Sequence, residues 1–172
     1  MKKSLLQWGF TFLQGSIIFL MGIWTIAFPA SSSDVSGIFL LVAGFPGMVE
    51  WLLENEFDRS TTDFKWSITT TLGGLLYIFL SDHGPEKGML VLLIWIMLTG
   101  IYLFSRGGAL KWISKLSWGL VLSGAFLSVA GFVLIVNFHF EISFFLLGLI
   151  YLFAGMAVWM LASIKRKIFK AF

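Results

Sequence analysis

The sequence contains no cysteine, only two histidines and few charged residues. Without cysteine the chain can form no disulfide bond, no thiol nucleophile and no thiolate metal site. Two histidines alone are too few ligands for a zinc site. The patterns G-x-S-x-G and H-E-x-x-H, the P-loop and the dinucleotide glycine fingerprint are also missing from the sequence. We therefore expect no metal, no cofactor and no enzymatic activity.

Charge is scarce throughout the chain. Charged residues make up 12% of the sequence, whereas a soluble domain carries about 25%. Hydrophobic residues make up 58%, and phenylalanine alone occurs 19 times in 172 residues. A domain of this size cannot bury so much apolar surface in its own core. The basic residues form short clusters beside apolar runs, which indicates a lipid bilayer rather than nucleic acid as the partner.

Six apolar stretches, divided by charged residues, predict six helices that cross a bilayer. They are Trp8–Phe28, Val35–Leu53, Trp66–Ser81, Met89–Phe104, Leu116–Val136 and Ile142–Ile164. The stretches are continuously apolar and lack the alternation of a barrel strand. Only a helix satisfies every backbone group within one segment in lipid. We predict an all-α membrane protein of six transmembrane helices, the first being a retained helix. The third and fourth stretches are short, so a re-entrant pair is the alternative there.

Lysine and arginine predict the orientation. Eleven of the twelve lie in the termini and in alternate connections, and Lys87 alone lies on the other side. By the positive-inside rule, both termini face the cytoplasm of a cytoplasmic membrane. The outward connections are predicted to be short turns, at Pro29–Asp34, Asp82–Gly88 and Asn137–Glu141. The chain is thus expected to be one polytopic domain of three hairpins, at about 8–54, 66–105 and 116–164.

Glycines recur seven residues apart within these hairpins, and they predict close helix packing. Seven residues is almost two turns, so each pair lies on one helix face. Small residues on one face let two backbones approach closely, which is a main source of helix association in lipid. The glycines concerned are Gly15, Gly22, Gly37, Gly44, Gly124, Gly131, Gly148 and Gly155. Their spacing predicts that the hairpins are repeats, with a more degenerate middle hairpin in which Gly100 corresponds to Gly44.

This layout resembles the HdeD family of bacterial acid-resistance membrane proteins. The resemblance covers about Trp8 to Ile164 and rests on glycines and aromatic residues in apolar runs. The matching residues are Trp8, Gly15, Gly22, Pro29, Gly37 and Gly44, with a second set at Trp118, Gly124, Gly131, Gly148 and Gly155. The resemblance implies a protein of the bacterial inner membrane that is linked to acid or stress tolerance. It implies no catalytic residues.

Glu50 is the only charged residue within any of the six predicted spans. It falls about one turn before the end of the second stretch, beside Trp51. A charge at a helix centre in lipid costs about 2.5–3.5 kcal/mol. The favoured interpretation is therefore an interfacial carboxylate that reaches water. The alternative is a buried carboxylate that gates a helix pair, next to a kink at Pro46 and Gly47.

Both histidines, His83 and His139, fall in connections predicted to face outward. Histidine ordinarily titrates near pH ~6.5, so external acid would raise the charge of this face. We therefore treat His83, His139 and Glu50 as candidate pH-responsive residues. The simpler interpretation of the histidines is that they are ordinary solvated loop residues.

Two functions remain open at this point. The first is a non-enzymatic membrane protein linked to acid or general stress resistance, whose partners are the bilayer and either itself or other membrane proteins. The second is a small channel or transporter formed by an oligomer, with the consecutive threonines Thr69, Thr70 and Thr71 lining its pore. Threonines in a membrane helix more often bond to their own helix or to a neighbour.

Overall fold

A computed structural model describes residues 2–53, 61–112, 114–137 and 143–171, and these form six α-helices with short connections. The helices are α1 (Lys2–Ala27), α2 (Pro29–Leu53), α3 (Thr61–Ser81), α4 (Pro85–Leu110), α5 (Leu116–Val136) and α6 (Phe144–Ala171). The predicted all-α class and the number of helices are confirmed for these residues. Five of the helices, all except α3, are long and apolar enough to cross a membrane. The chain is therefore a multi-pass membrane protein.

The first two outward turns are shorter than the sequence indicated. Only Phe28 separates α1 from α2, because α2 begins at Pro29. The second turn is confined to residues 82–84, because α4 begins at Pro85. Proline fits the first position of a helix, where its missing N–H has no partner to lose. The predicted turns at Pro29–Asp34 and Asp82–Gly88 are thus wrong in extent, and most of the third turn lies outside the described residues.

The helices also extend further at the opposite end than the apolar runs suggested. α3 begins before Lys65, and α4 continues past Arg106 to Leu110. α6 continues past Lys165 to Ala171. The third and fourth helices are therefore 21 and 26 residues long rather than short. The charge pattern had placed Lys65, Arg106 and Lys165 in connections or in the C-terminal tail, but all three lie inside helices.

The six helices form a closed ring, and α2, α4 and α6 lie on its inner side, so we call these three the inner helices. Each helix packs on the next in the chain, and α6 packs on α1. The inner helices α2, α4 and α6 contact one another, whereas α1, α3 and α5 make no contact with one another among the described residues. The predicted hairpins are therefore present as antiparallel neighbours. The inner helices run in the same direction, so their carboxyl-terminal ends meet at one end of the bundle.

The closest packing occurs between hairpins rather than within them. The most extensive interfaces are α1 with α6, α2 with α3, and α4 with α5, and we call these three interfaces the seams. Each seam is lined by glycines whose backbones touch the facing helix. A Cβ on Gly22 would lie 2.8 Å from the carbonyl oxygen of Gly148, one on Gly74 would lie 2.6 Å from that of Gly37, and one on Gly124 would lie 2.7 Å from that of Gly100. The seams therefore require residues without a side chain.

Candidate functional site: a buried charge cluster

Four charged side chains meet where the inner helices end. Glu50 comes from the last turn of α2, Asp63 from the first turn of α3, Arg106 from the end of α4, and Lys165 from the last two turns of α6. We call these four residues the charge cluster. It contains two carboxylates and two cations, so it is neutral when all four are ionised. Each inner helix contributes one member, because the three helices end side by side.

Lys165 is the centre of the charge cluster. Its Nζ lies 2.6 Å from Glu50 Oε1 and 3.0 Å from Asp63 Oδ2. The same ammonium donates a hydrogen bond of 2.9 Å to Thr11 Oγ1. The Thr11 hydroxyl in turn donates to Glu50 Oε2 at 2.9 Å. All three protons of the ammonium are therefore used, and α1, α2, α3 and α6 are joined at one point.

Asp63 has more hydrogen-bond and ion-pair partners than Glu50, the other carboxylate of the cluster. Arg106 donates from Nη2 to Asp63 Oδ2 at 3.0 Å, and its Nε lies 2.9 Å from Oδ1. The hydroxyl of Tyr102 donates to Oδ1 at 2.9 Å. Asp63 precedes the predicted span that begins at Trp66. Burial alone would raise the pKa of Asp63, but the charges of Lys165 and Arg106 outweigh burial and hold that pKa below its ordinary value.

A second layer of polar contacts lies against the cluster. Gln14 Nε2 donates to Ser67 Oγ at 3.2 Å, and Ser67 Oγ donates to the carbonyl oxygen of Asp63 at 2.9 Å. Both side chains are buried. Gly47 permits this contact, since a Cβ there would collide with the Ser67 hydroxyl and the Gln14 amide. The layer ties α1, α2 and α3 together next to the ion pairs.

The structure corrects the favoured interpretation of Glu50. Glu50 is 4% exposed and its carboxylate is paired with Lys165, so the carboxylate does not reach water as an interfacial one would. A water-facing position was expected because a charge inside a span is costly and Glu50 lies about one turn from the end of the second stretch. The structure instead pairs it with a lysine 115 positions away in the chain.

The other predicted residues lie apart from the cluster. His83 is exposed, with Nδ1 2.9 Å from the carbonyl oxygen of Phe79. His139 lies outside the described residues. The predicted packing glycines lie in the three seams. Gly15, Gly22, Gly148 and Gly155 are in the α1–α6 seam, Gly37 and Gly44 in the α2–α3 seam, and Gly124 and Gly131 in the α4–α5 seam.

A line of polar groups continues from the cluster into the bundle. The ring of Tyr102 stacks on Trp66, with centroids 4.6 Å apart and planes inclined by 6°. Trp66 Nε1 lies 3.4 Å from the Thr99 hydroxyl. Deeper in, Trp95 Nε1 donates to Thr70 Oγ1 at 3.1 Å. The hydroxyl of Tyr151 is fully buried and has no hydrogen-bond partner among the described residues.

The threonines of α3 serve different purposes. Thr69 and Thr70 donate to the carbonyl oxygens of Lys65 and Trp66, one turn earlier in their own helix. Thr71 faces Gly44 in the α2–α3 seam. Thr69 and Thr70 follow the expectation that membrane threonines bond to their own helix, whereas the buried hydroxyl of Thr71 has no hydrogen-bond partner among the described residues. Thr70 is buried inside the chain rather than exposed for a neighbouring subunit.

The charge cluster can bind and release protons and can couple the ends of five helices. No group of three or more His, Asp or Glu side chains suited to a metal ion occurs in the described part of the chain. No family model, no curated protein and no solved structure matches the chain. The resemblance to the HdeD family therefore stays a prediction from the sequence.

Proposed function

We propose that the chain is a non-enzymatic protein of the cytoplasmic membrane that contributes to acid or general stress resistance. In this proposal all six helices cross the bilayer, both termini face the cytoplasm, and the charge cluster is the part that responds to acid. The clustering of basic residues at the cluster end supports the orientation. The resemblance to the HdeD family supports the link to acid.

The charge cluster is the observation that carries this proposal. Buried ionisable residues in membrane proteins are costly, and they usually mark a functional element. The glycine seams already hold neighbouring helices together at contact distance. Replacing buried ion pairs by apolar residues is often neutral or stabilising, so stability alone does not account for four charges at this position. A response to protons does account for them.

Glu50 is the carboxylate of the cluster with fewer cationic partners. Lys165 is its only ion-pair partner in the described structure, and Lys165 also pairs with Asp63, which has Arg106 in addition. A proton from an acidified cytoplasm therefore neutralises Glu50 at a smaller cost than Asp63. The cluster would then hold one carboxylate against two cations. That buried excess of positive charge favours separation of the ends of α2 and α6.

Acid survival of a host strain tests this proposal. In the strain used, deletion of the gene lowers survival in acid, and expression of the unchanged protein restores it. The double variant Glu50→Gln with Lys165→Met leaves Asp63 paired with Arg106 and keeps the cluster neutral as long as Asp63 is ionised, so the cluster cannot acquire the excess of positive charge, and we expect survival to fall to that of the deletion strain. A variant with His83→Gln and His139→Gln removes the outward titrating groups and serves as the comparison. Full survival with this double variant, at equal protein abundance in the membrane, would exclude the cluster as the acid-responsive part.

The proposed orientation has its own test, because the chain contains no cysteine. His83 and Trp112 are exposed on opposite ends of the bundle. A membrane-impermeant maleimide added to intact cells should label a His83→Cys variant. It should label a Trp112→Cys variant only after the cells are permeabilised. The reverse pattern, or labelling of both variants in intact cells, contradicts six crossings with cytoplasmic termini.

A small channel or transporter is the second candidate, and the polar line between the cluster and Tyr151 favours it. The line lies within one chain, so it supports a path through the chain rather than a pore between subunits. Liposomes containing the purified protein and a pH gradient provide the test. A conducting protein should collapse the gradient, and Tyr151→Phe, which removes the unbonded hydroxyl, should slow it. Absence of protein-dependent flux rejects proton conduction.

A further inference from the structure

A groove of about 240 Å³ lies between α3 and α4 on the surface of the bundle. Its walls come from one face of each helix, since the lining residues are spaced by three and four positions. Thr62, Lys65 and Thr69 line it from α3, and Leu98, Ile101 and Ser105 line it from α4. The stacked rings of Trp66 and Tyr102 form its floor. The groove exists because α3 and α4 pack less extensively than the two helices of a seam.

The groove changes from polar to apolar along its length. α3 starts at the end of the bundle that holds the charge cluster, and α4 ends there. Lys65 and Ser105 therefore lie near the membrane surface, whereas Leu98 and Ile101 lie deeper. Ile101 is 51% exposed and Leu98 is 37% exposed, so both side chains are open to an occupant. This order matches a phospholipid, which has its charge at the surface and its chains inside.

Lys65 supplies the charge of the groove. It is exposed and forms no ion pair among the described residues. The nearby guanidinium of Arg106 is already engaged by Asp63. Hydroxyl groups of Thr62 and Ser105 stand at the same end and can donate to an oxygen anion. One cation without an ion-pair partner in the described structure, together with adjacent hydroxyl donors, is complementary to a single phosphate.

We propose that this groove binds an anionic phospholipid, with its phosphate at Lys65 and an acyl chain along Leu98 and Ile101. The inference rests on the proposed function only in placing this end of the bundle at the cytoplasmic leaflet, where anionic lipids are concentrated. Basic pockets between membrane helices on that side are known to bind anionic headgroups. A volume of about 240 Å³ corresponds to roughly eight water molecules. It therefore accommodates a headgroup phosphate and part of one chain.

The bound lipid would also affect the charge cluster through Tyr102. The floor residue Tyr102 faces the groove with its ring and donates its hydroxyl to Asp63 Oδ1 at 2.9 Å. An acyl chain packed on the Tyr102 ring restricts the motion of the ring and so holds that hydrogen bond in place. The lipid would thereby stabilise the ionised form of the cluster.

Native mass spectrometry of the purified full chain tests the proposal. The protein is delipidated in a non-ionic detergent and titrated with phosphatidylglycerol or with phosphatidylcholine of the same chains. We expect tighter binding of phosphatidylglycerol. Lys65→Ala should weaken it about fivefold, the change that about 1 kcal/mol per basic residue corresponds to. Lys111→Ala, which removes an exposed lysine outside the groove at the same end of the bundle, should leave the affinity unchanged.

Two further measurements distinguish binding in the groove from nonspecific adsorption of lipid and from binding of the phosphate alone. Ile101→Trp fills the groove from an exposed position and should reduce binding of both lipids, while circular dichroism confirms that the variant is folded. Glycerol phosphate, which has the headgroup without chains, should not compete. Equal affinity for both lipids, equal losses with Lys65→Ala and Lys111→Ala, or competition by glycerol phosphate would each overturn the proposal. None of these results depends on acid survival, so the two proposals fail separately.

Discussion

Removal of the Lys165 charge is the most informative perturbation of the cluster. In Lys165→Met an apolar side chain of similar length replaces the ammonium. The change removes the 2.6 Å ion pair to Glu50, the 3.0 Å pair to Asp63 and the 2.9 Å hydrogen bond to Thr11. The two carboxylates are affected differently. Asp63 keeps Arg106, whereas Glu50 keeps only the hydroxyl of Thr11.

The size of the effect follows from this difference. Breaking a buried ion pair by removing one partner costs about 3–5 kcal/mol, because the other charge stays buried without compensation. Glu50 is 4% exposed and cannot regain hydration without movement of α2. Its bond to Thr11 and its ability to take up a proton reduce the cost. We therefore expect Lys165→Met to lower the free energy of unfolding by about 3 kcal/mol.

Equilibrium unfolding in mixed micelles, followed by tryptophan fluorescence, measures this loss. Adding Glu50→Gln to Lys165→Met removes the stranded charge and should restore about 2 kcal/mol, an interaction energy typical of residues in contact. Lys167→Met is the matched control. It removes an exposed lysine from the same helix and should change stability by less than about 0.5 kcal/mol. If Lys165→Met and Lys167→Met are equally stable, or if Glu50→Gln restores nothing, the pairing described above is refuted.

Two further predictions concern the seams and the acid limit of stability. Gly22→Ala would put a Cβ 2.7 Å from the backbone nitrogen of Leu152 and should cost about 1–3 kcal/mol in unfolding free energy. Gly9→Ala in the same helix meets nothing within 4 Å and should be neutral or gain up to about 1 kcal/mol, so equal effects would contradict a close seam. Because the pKa of Asp63 is lower in the folded than in the unfolded chain, its stabilising contribution is complete above the ordinary aspartate range and disappears as pH falls through the folded value. Asp63→Asn should therefore flatten the acid limb of a stability profile against pH, and an unchanged slope would contradict it.

Local sequence patterns were sufficient to predict the helices. Continuous apolar runs predicted all six helices, and the seven-residue glycine spacing anticipated faces without side chains. Helix bounds were less accurate, because charged residues were taken as helix limits. Lys65 and Arg106 are nonetheless inside helices, since a side chain can satisfy its charge at a neighbouring helix while its backbone stays hydrogen-bonded. Pro29 and Pro85 were taken as turn residues, although proline is also suited to a helix start.

The charge cluster could not be predicted in the same way, because its ion pairs join residues far apart in the chain. The positive-inside rule used Lys165 and Arg106 only to predict which side faces the cytoplasm, and it gave no reason to consider Asp63. One signal was nevertheless present. Gly44 precedes Glu50 by six residues, and Gly100, its predicted counterpart in the middle hairpin, precedes Arg106 by the same number.

Under the predicted repeat, that spacing puts opposite charges at corresponding positions of two hairpins. Both side chains do belong to the charge cluster, although each pairs with a different partner. The corresponding position after Gly155 is occupied by the neutral Leu161. Lys165 lies about one turn further along α6, so its place in the cluster has no such signal. It depends on the tertiary packing of α6 against α1 and α2.

The seam between α1 and α6 has a consequence for biogenesis. Of these six helices, α1 is made before the other five and has its principal partner in α6, so α1 must wait in the bilayer with Gly15 and Gly22 uncovered until α6 has been inserted. The other two seams can close as soon as their helices are made. Closure of the six-helix bundle thus depends on α6, and a chain truncated before α6 would expose a small-residue face to any neighbouring membrane helix.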